Sequence, residues 1–216
     1  MRDQFVEQLD RMRYDLAELC SVTEAAIDRA THALLDTDLA AADRAADLSA
    51  DIDIRARELD HRALTIIARQ APVAQDLRAL IAGMHNIADL RRMGTLAGHV
   101  AEVARLHYPE PVVPYEVRGI IADMGTAATA QAAAAGEVLR TRDYVRALEL
   151  IEADGRTDEL LRTLFAATKS EDWLYGAASA VNVTLLGRFY ERFCDHTVEI
   201  SRRVIFVVTG ELPDEP

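Results

Sequence analysis

The chain has 216 residues, of which 50% are hydrophobic and 28% charged; that is ample for a packed core and excludes an intrinsically disordered chain. A formal net charge of −12 argues against nucleic-acid backbones and anionic membrane surfaces as partners. Only 10 glycines and 6 prolines interrupt a composition rich in Ala, Leu, Arg, Glu and Asp, which favours long helices.

The N-terminal segment alternates charged and apolar residues from its start and has no apolar core of a signal peptide. Phe5, Leu9, Met12, Leu16, Leu19, Thr23, Ala26, Ala30 and Ala33 recur in steps of four and three, the seam of a helix packed in a bundle. This helix ends near Asp36-Thr37-Asp38, whose side chains suit the cap of a second helix. The second helix runs to about Arg69, with Ala42, Ala46, Leu59, Ala63 and Ile66 facing inward. Pro72 breaks it, and a third helix runs from about Val73 to His107. Residues 107–116 hold three of the six prolines and form the one evident linker. A fourth, Ala-rich helix is predicted over about Tyr115–Arg140, its small side chains allowing close approach of a neighbour. A fifth runs from near Asp143 to Lys169, and a sixth from about Asp172 to Val208, ending at Gly210. The longest uncharged run, 173–187, falls short of the ~18 apolar residues that a membrane span needs. Cys20 and Cys194 lie far apart without metal-type spacing, which suits free thiols in a reducing compartment and a cytoplasmic protein.

The two halves match. Residues 34–53 resemble 138–158, with Asp38 over Asp143 and Asp53 over Asp158; residues 87–105 resemble 187–204, with Arg92 over Arg192. A period of about 100 residues marks a duplicated three-helix domain and not a solenoid repeat. The expected fold is therefore all-α, two tandem three-helix bundles, with a first repeat over 1–108, a second over 113–210 and a tail over 211–216.

In the last helix, Glu191, Asp195 and Glu199 stand at i, i+4 and i+8, on the side opposite an apolar stripe of Leu186, Phe189, Phe193, Ile200, Val204 and Val207. Three carboxylates in one row repel one another by a few tenths of a kcal/mol per neighbouring pair, roughly. Two things could offset this: a hard cation bound to the oxygens, or intrahelical pairing with Arg188, Arg192 and Arg202, which would leave the row a solvated face.

At these residues the chain resembles the PhoU family of phosphate-uptake regulators. The family's long third helix carries a pattern like D-L-E-R-I-G-D-H in each repeat. The second copy here reads F-Y-E-R-F-C-D-H (189–196) and keeps Glu191, Arg192, Asp195 and His196. The first copy reads D-L-R-R-M-G-T-L (89–96), keeping Asp89, Leu90, Arg92 and Gly94 but placing Arg91 and Thr95 where the acids belong. Pro72-Val73-Ala74-Gln75-Asp76-Leu77-Arg78 matches a further pattern of the first repeat. The resemblance implies a pair of three-helix bundles that usually dimerise. It also implies a regulator that restrains phosphate uptake and phosphate-regulon signalling by contacting the ATPase subunit of a phosphate ABC transporter and a membrane sensor histidine kinase. It implies a divalent, iron or zinc ion on Glu191 and Asp195. In the first repeat a guanidinium cannot ligate a cation, so a metal is expected at the second repeat only, with Asp154 and Asp158 as candidates for further ligands.

No catalytic constellation is evident, so an enzyme is not expected; the net charge of −12 and the lack of a long apolar run make nucleic-acid binding and membrane insertion unexpected too. Two other readings remain at this level. One is a helical-bundle scaffold without a phosphate link. The other is a di-iron metalloprotein, for which only one Glu-x-x-His pair, Glu58 and His61, can be found where two are needed.

Overall fold

The computed structural model describes residues 2–211 and 213, with side chains from Gln4 onward. Seven helices follow one another: α1 (Arg2–Asp36), α2 (Leu39–Gln70), α3 (Ala74–His107), α4 (Tyr115–Thr141), α5 (Tyr144–Ala153), α6 (Gly155–Lys169) and α7 (Gly176–Thr209). No strand is present among the described residues. Residues 212 and 214–216 of the expected tail lie outside them.

The ends of the helices follow local chemistry. The Asp38 carboxylate accepts from the Ala41 N–H at 3.0 Å, and Asp143 accepts from Val145 and Arg146 at 2.9 and 3.2 Å. Each offsets orphan donors of a helix start. Gly210, in the left-handed region at φ 89°, closes α7 by donating to the Phe206 carbonyl. The 108–114 linker is pinned by buried Val112 and Val113.

Two differences from the sequence reading bear on the site. The expected fifth helix is two, α5 and α6, interrupted at Asp154. There the Asp154 N–H reaches only the Ile151 carbonyl, and Thr157 reaches Asp154, so the turn tightens from i+4 to i+3 bonding. Gly155 follows, a residue of low helix propensity whose missing Cβ would meet nothing within 4 Å. The last helix begins at Gly176 instead of near Asp172, because the Trp173 indole donates to the Gly176 carbonyl at 3.1 Å and folds 170–175 into a non-helical turn.

α1, α3, α4 and α7 form the centre, α2 packs on α1 and α3, and α5 and α6 pack on α4 and α7 at the opposite edge. One continuous apolar core runs through both copies. α1 therefore buries two stripes: the predicted seam toward its own bundle, and a second through Cys20, Ile27 and Thr31 toward α4. The Ala-rich face of α4, with Ala128, Ala132 and Ala135 fully buried, permits that approach. The Cys20 thiol reaches the Ala132 carbonyl at 3.1 Å. Both cysteines are free and buried.

Candidate functional site

The break at Asp154 turns the start of α6 toward the middle of α7. Beneath that junction lies a buried polar network. The Thr197 hydroxyl donates to the Gln131 side-chain carbonyl at 2.7 Å, and the Gln131 amide donates to the Thr157 hydroxyl at 3.5 Å. Thr157 and Thr197 are fully buried, so these bonds fix α4, α6 and α7 relative to one another. Sequence reasoning missed Gln131 and Thr157. Their only signal was a polar residue on an otherwise apolar helical face.

Above the network four carboxylates gather: Asp154 and Asp158 at the α5–α6 junction, Glu191 and Asp195 on α7. Burial raises the Asp154 carboxyl to about 6, helped by the charges of Asp195 and Asp158. Burial also raises Glu191, with Asp195 adding to the effect and Arg188 opposing it. Asp195 is raised by burial and by Asp158, against the pull of His196, Arg188 and Arg192. Arg188 donates to Glu191 Oε1 at 2.6 Å, while the other oxygen, Oε2, is buried with no hydrogen-bond partner. Among the described residues, Arg192, one of the arginines that could have paired with the row, forms no ion pair with Asp195, and Asp154 and Asp158 have no basic partner within 4.0 Å. Glu199, the third member of the row, is held by Arg202 and Arg203 at 3.5 and 3.4 Å and stands apart from the group. The row is thus divided: Glu191 faces the junction half-buried, and Glu199 follows the arginine alternative.

The corresponding place in the first copy has the opposite electrostatics. Arg91, at the position of Glu191, donates to Asp53 Oδ1 at 2.5 Å, and Arg57 holds the second Asp53 oxygen. Asp53 corresponds to Asp158. Partial desolvation would raise its carboxyl, but the bonds from Arg91 and Arg57 outweigh it and lower the group below the usual range. Ser49 stands at the register of Asp154, and Thr95 at that of Asp195. One copy contains its own cation, whereas the other has an excess of carboxylates.

Between the copies, Asp89 of α3 accepts from His196 Nδ1 at 2.8 Å and also pairs with Arg203. The two motif lines found in the sequence, 89–96 and 189–196, therefore meet through Asp89 and His196. Glu58 and His61 are exposed on α2.

Four oxygen-bearing side chains and a buried, unpartnered carboxylate oxygen suit a hard cation in charge and donor type. Among the described residues, however, no three His, Cys, Asp or Glu side chains converge closely enough to enclose an ion. The chemistry fits, while the side chains do not already form a closed shell.

The Asp154 carboxyl makes a separate prediction. The folded chain retains a proton that the unfolded chain loses between about pH 4 and 6, so stability falls as pH rises through that window and levels above it. Because the group is partly exposed, the screened penalty is about 1 kcal/mol. Asp154→Asn is expected to stabilise the metal-free protein by that amount near neutral pH and to flatten the acid-side slope. Urea unfolding at about pH 4.5 and about pH 7.5 measures both effects. An equal pH dependence in the two proteins would show Asp154 to be fully solvated.

A duplicated three-helix bundle whose third helices meet along a shared seam defines the class of protein, and comparison with known sequences agrees with it. A family model described as PhoU domain matches twice, over residues 16–104 and 121–204. The chain belongs to the PhoU family. It is 43% identical over 215 residues to the Phosphate-specific transport system accessory protein PhoU homolog 1 of Mycobacterium leprae, covering 100% of this chain and 97% of that one. It is 42% identical to PhoU homolog 2 of Mycobacterium tuberculosis, covering 99% and 100%. Its fold matches the crystal structure of PhoU from Pseudomonas aeruginosa with a TM-score of 0.84 at 24% identity, covering 96% of this chain and 100% of that chain. The phosphate transport system regulatory protein PhoU from Streptococcus pneumoniae matches with a TM-score of 0.87 at 20% identity, covering 98% and 100%. Among the described residues no helix is long and apolar enough to cross a membrane.

Proposed function

We propose that this chain is a cytoplasmic, non-enzymatic regulator of phosphate homeostasis. It restrains phosphate uptake and phosphate-regulon signalling by binding the ATPase subunit of a phosphate ABC transporter and a membrane sensor histidine kinase, and it works as a homodimer. The observation that carries this reading is similarity over essentially the whole chain to proteins named as phosphate-transport accessories, with both copies of the domain retained. The acidic group at the α5–α6 junction and the Asp53–Arg91 pair in the first copy suit a role in binding.

A deletion strain tests it. Without this protein, phosphate-starvation genes and phosphate uptake are expected to stay high in phosphate-rich medium. Normal repression in the deletion strain would overturn the reading and leave a scaffold without a phosphate link.

The same reading includes one divalent metal ion at the second repeat, held by Glu191 and Asp195 with Asp154 and Asp158 alongside. Three raised carboxyls and the unpartnered Glu191 oxygen support it. The first repeat takes none, because the Arg91 guanidinium already supplies the positive charge beside Asp53.

A further inference from the structure

The seam between the two copies holds a partly open cavity of about 50 Å3 at the end of the bundle where α1 and α3 begin and α4 and α7 end. Apolar side chains of all four helices, among them Met12, Leu139 and Val204, form most of its wall. The polar residues lining it are Asn86, Arg13 and Arg142. Asn86 is buried, and its side-chain oxygen accepts from Arg203 at 3.4 Å.

Acidic residues outnumber Lys and Arg by 36 to 24, yet counter-charge is short around Arg13 and Arg142. The Arg13 side chain is only 19% exposed and has one acidic partner, the exposed Asp10, at 3.2 Å. Another of its nitrogens donates to the Arg140 carbonyl, its head lies 4.6 Å over the Tyr14 ring, and Nε is buried with no partner. Arg142 caps α4 in the left-handed region at φ 57°, and among the described residues its side chain has neither an ion pair nor a hydrogen bond. Burial lowers the Arg142 guanidinium, and the charge of Arg13 lowers it further. The two heads therefore share one space and one exposed carboxylate.

The C-terminal end of α4 accounts for part of this charge, since a helix end carries roughly half a negative unit. Two guanidiniums exceed that half unit and Asp10 together. A desolvated cation without a counter-charge is costly, and the guanidinium fork matches oxyanions by paired N–H donors. A water needs about 10–15 Å3 of such space, so the cavity has room for a few waters. That is room enough for one small tetrahedral oxyanion.

We propose that Arg13 and Arg142 form a binding site for a tetrahedral oxyanion of the phosphate class, built by both copies at their seam. The site rests on this geometry alone and not on the partner contacts or the metal proposed above. Its ligand is either free orthophosphate or a phosphoryl group carried by a protein side chain.

The test is calorimetric titration of the full-length protein at low salt with orthophosphate and, separately, with phosphoserine. Saturable binding of one ion per chain is expected for at least one of them. Binding of orthophosphate alone identifies the free ion; binding of phosphoserine alone, or more tightly, identifies a carried phosphoryl group. Arg142→Gln is expected to weaken binding at least about tenfold, and Arg142→Lys, which keeps the charge and loses the fork, by less. Circular dichroism of both variants should be that of the wild type, since the Arg142 side chain bonds to nothing it would release. If neither compound binds saturably, or Arg142→Gln binds as the wild type does, the proposal is overturned.

Discussion

Glu191→Gln combined with Asp195→Asn is expected to abolish binding of the proposed divalent metal ion and at the same time to make the metal-free protein more stable. The two effects have one origin. In the metal-free state burial raises both carboxyls, with the charge of Asp195 adding to it at Glu191 and that of Asp158 adding to it at Asp195. Replacing two like charges with neutral amides of the same shape relieves that cost. The same replacement removes two anionic oxygen donors, and hard cations depend on charged oxygens for affinity. Loss of supporting groups around a metal already costs 10–100-fold, so loss of two ligands should exceed about 100-fold. Elemental analysis after dialysis against limiting iron, manganese or zinc reads the first effect, and urea unfolding with a chelator reads the second. Equal metal in wild type and variant would mean that the acids form only a solvated face. The converse variant, Arg91→Glu with Thr95→Asp, should replace the internal cation of the first copy with an ion-binding site and raise the metal-to-protein ratio. That site should be the weaker of the two, since Ser49 stands where Asp154 stands in the second copy.

Tyr190→Ala is expected to cost about 4 kcal/mol of unfolding free energy, the largest stability loss among these predictions. Tyr190 is fully buried, at 0% accessibility, and its hydroxyl meets that of Thr31 at 2.9 Å. It comes from α7 and Thr31 from α1, so the pair ties one copy to the other. Truncation leaves a ring-sized void in a core that cannot collapse around it, because Gly125 of α4 already lies against Thr31 so closely that a Cβ there would collide with it. Tyr190→Phe separates the two contributions. It retains the ring and removes one buried hydrogen bond, while the Thr31 hydroxyl keeps its bond to the Ile27 carbonyl at 2.8 Å. The expected cost is about 1 kcal/mol. Chemical denaturation of the three proteins measures both values, and a single transition is expected because the core is continuous. A loss below about 1 kcal/mol for Tyr190→Ala would mean that the copies are not joined at this point.

Local chemistry made much of this protein legible from sequence. Asp38, Asp143 and Gly210 announce helix ends because caps depend on residues adjacent in the chain. The apolar seam of α1 appears as expected because a 3.6-residue period maps directly onto one buried face. The duplication and the unequal motifs, Glu191 and Asp195 against Arg91 and Thr95, required only comparison of the chain with itself. The family followed from those same residues.

What the tertiary structure decided is which faces are buried and which residues meet. α7 is enclosed by α3 on one side and by α4, α5 and α6 on others, so it buries more than one stripe. Tyr190, outside the predicted stripe, is fully buried, whereas Phe189, inside it, is only partly so. The same enclosure splits the acidic row, since Glu191 meets the α5–α6 junction and Glu199 meets Arg202 and Arg203. Asp154 becomes a member of the acidic group only because the chain breaks there. Asp89 meets His196, and Arg13 meets Arg142, across more than a hundred residues of sequence. Helix periodicity records one helix at a time, and the second and third neighbours of a central helix leave no separate period in its sequence. The two unequal copies with which the sequence begins are therefore set by residue type, while the carboxylate group and the arginine pair between them exist only through the way those copies pack.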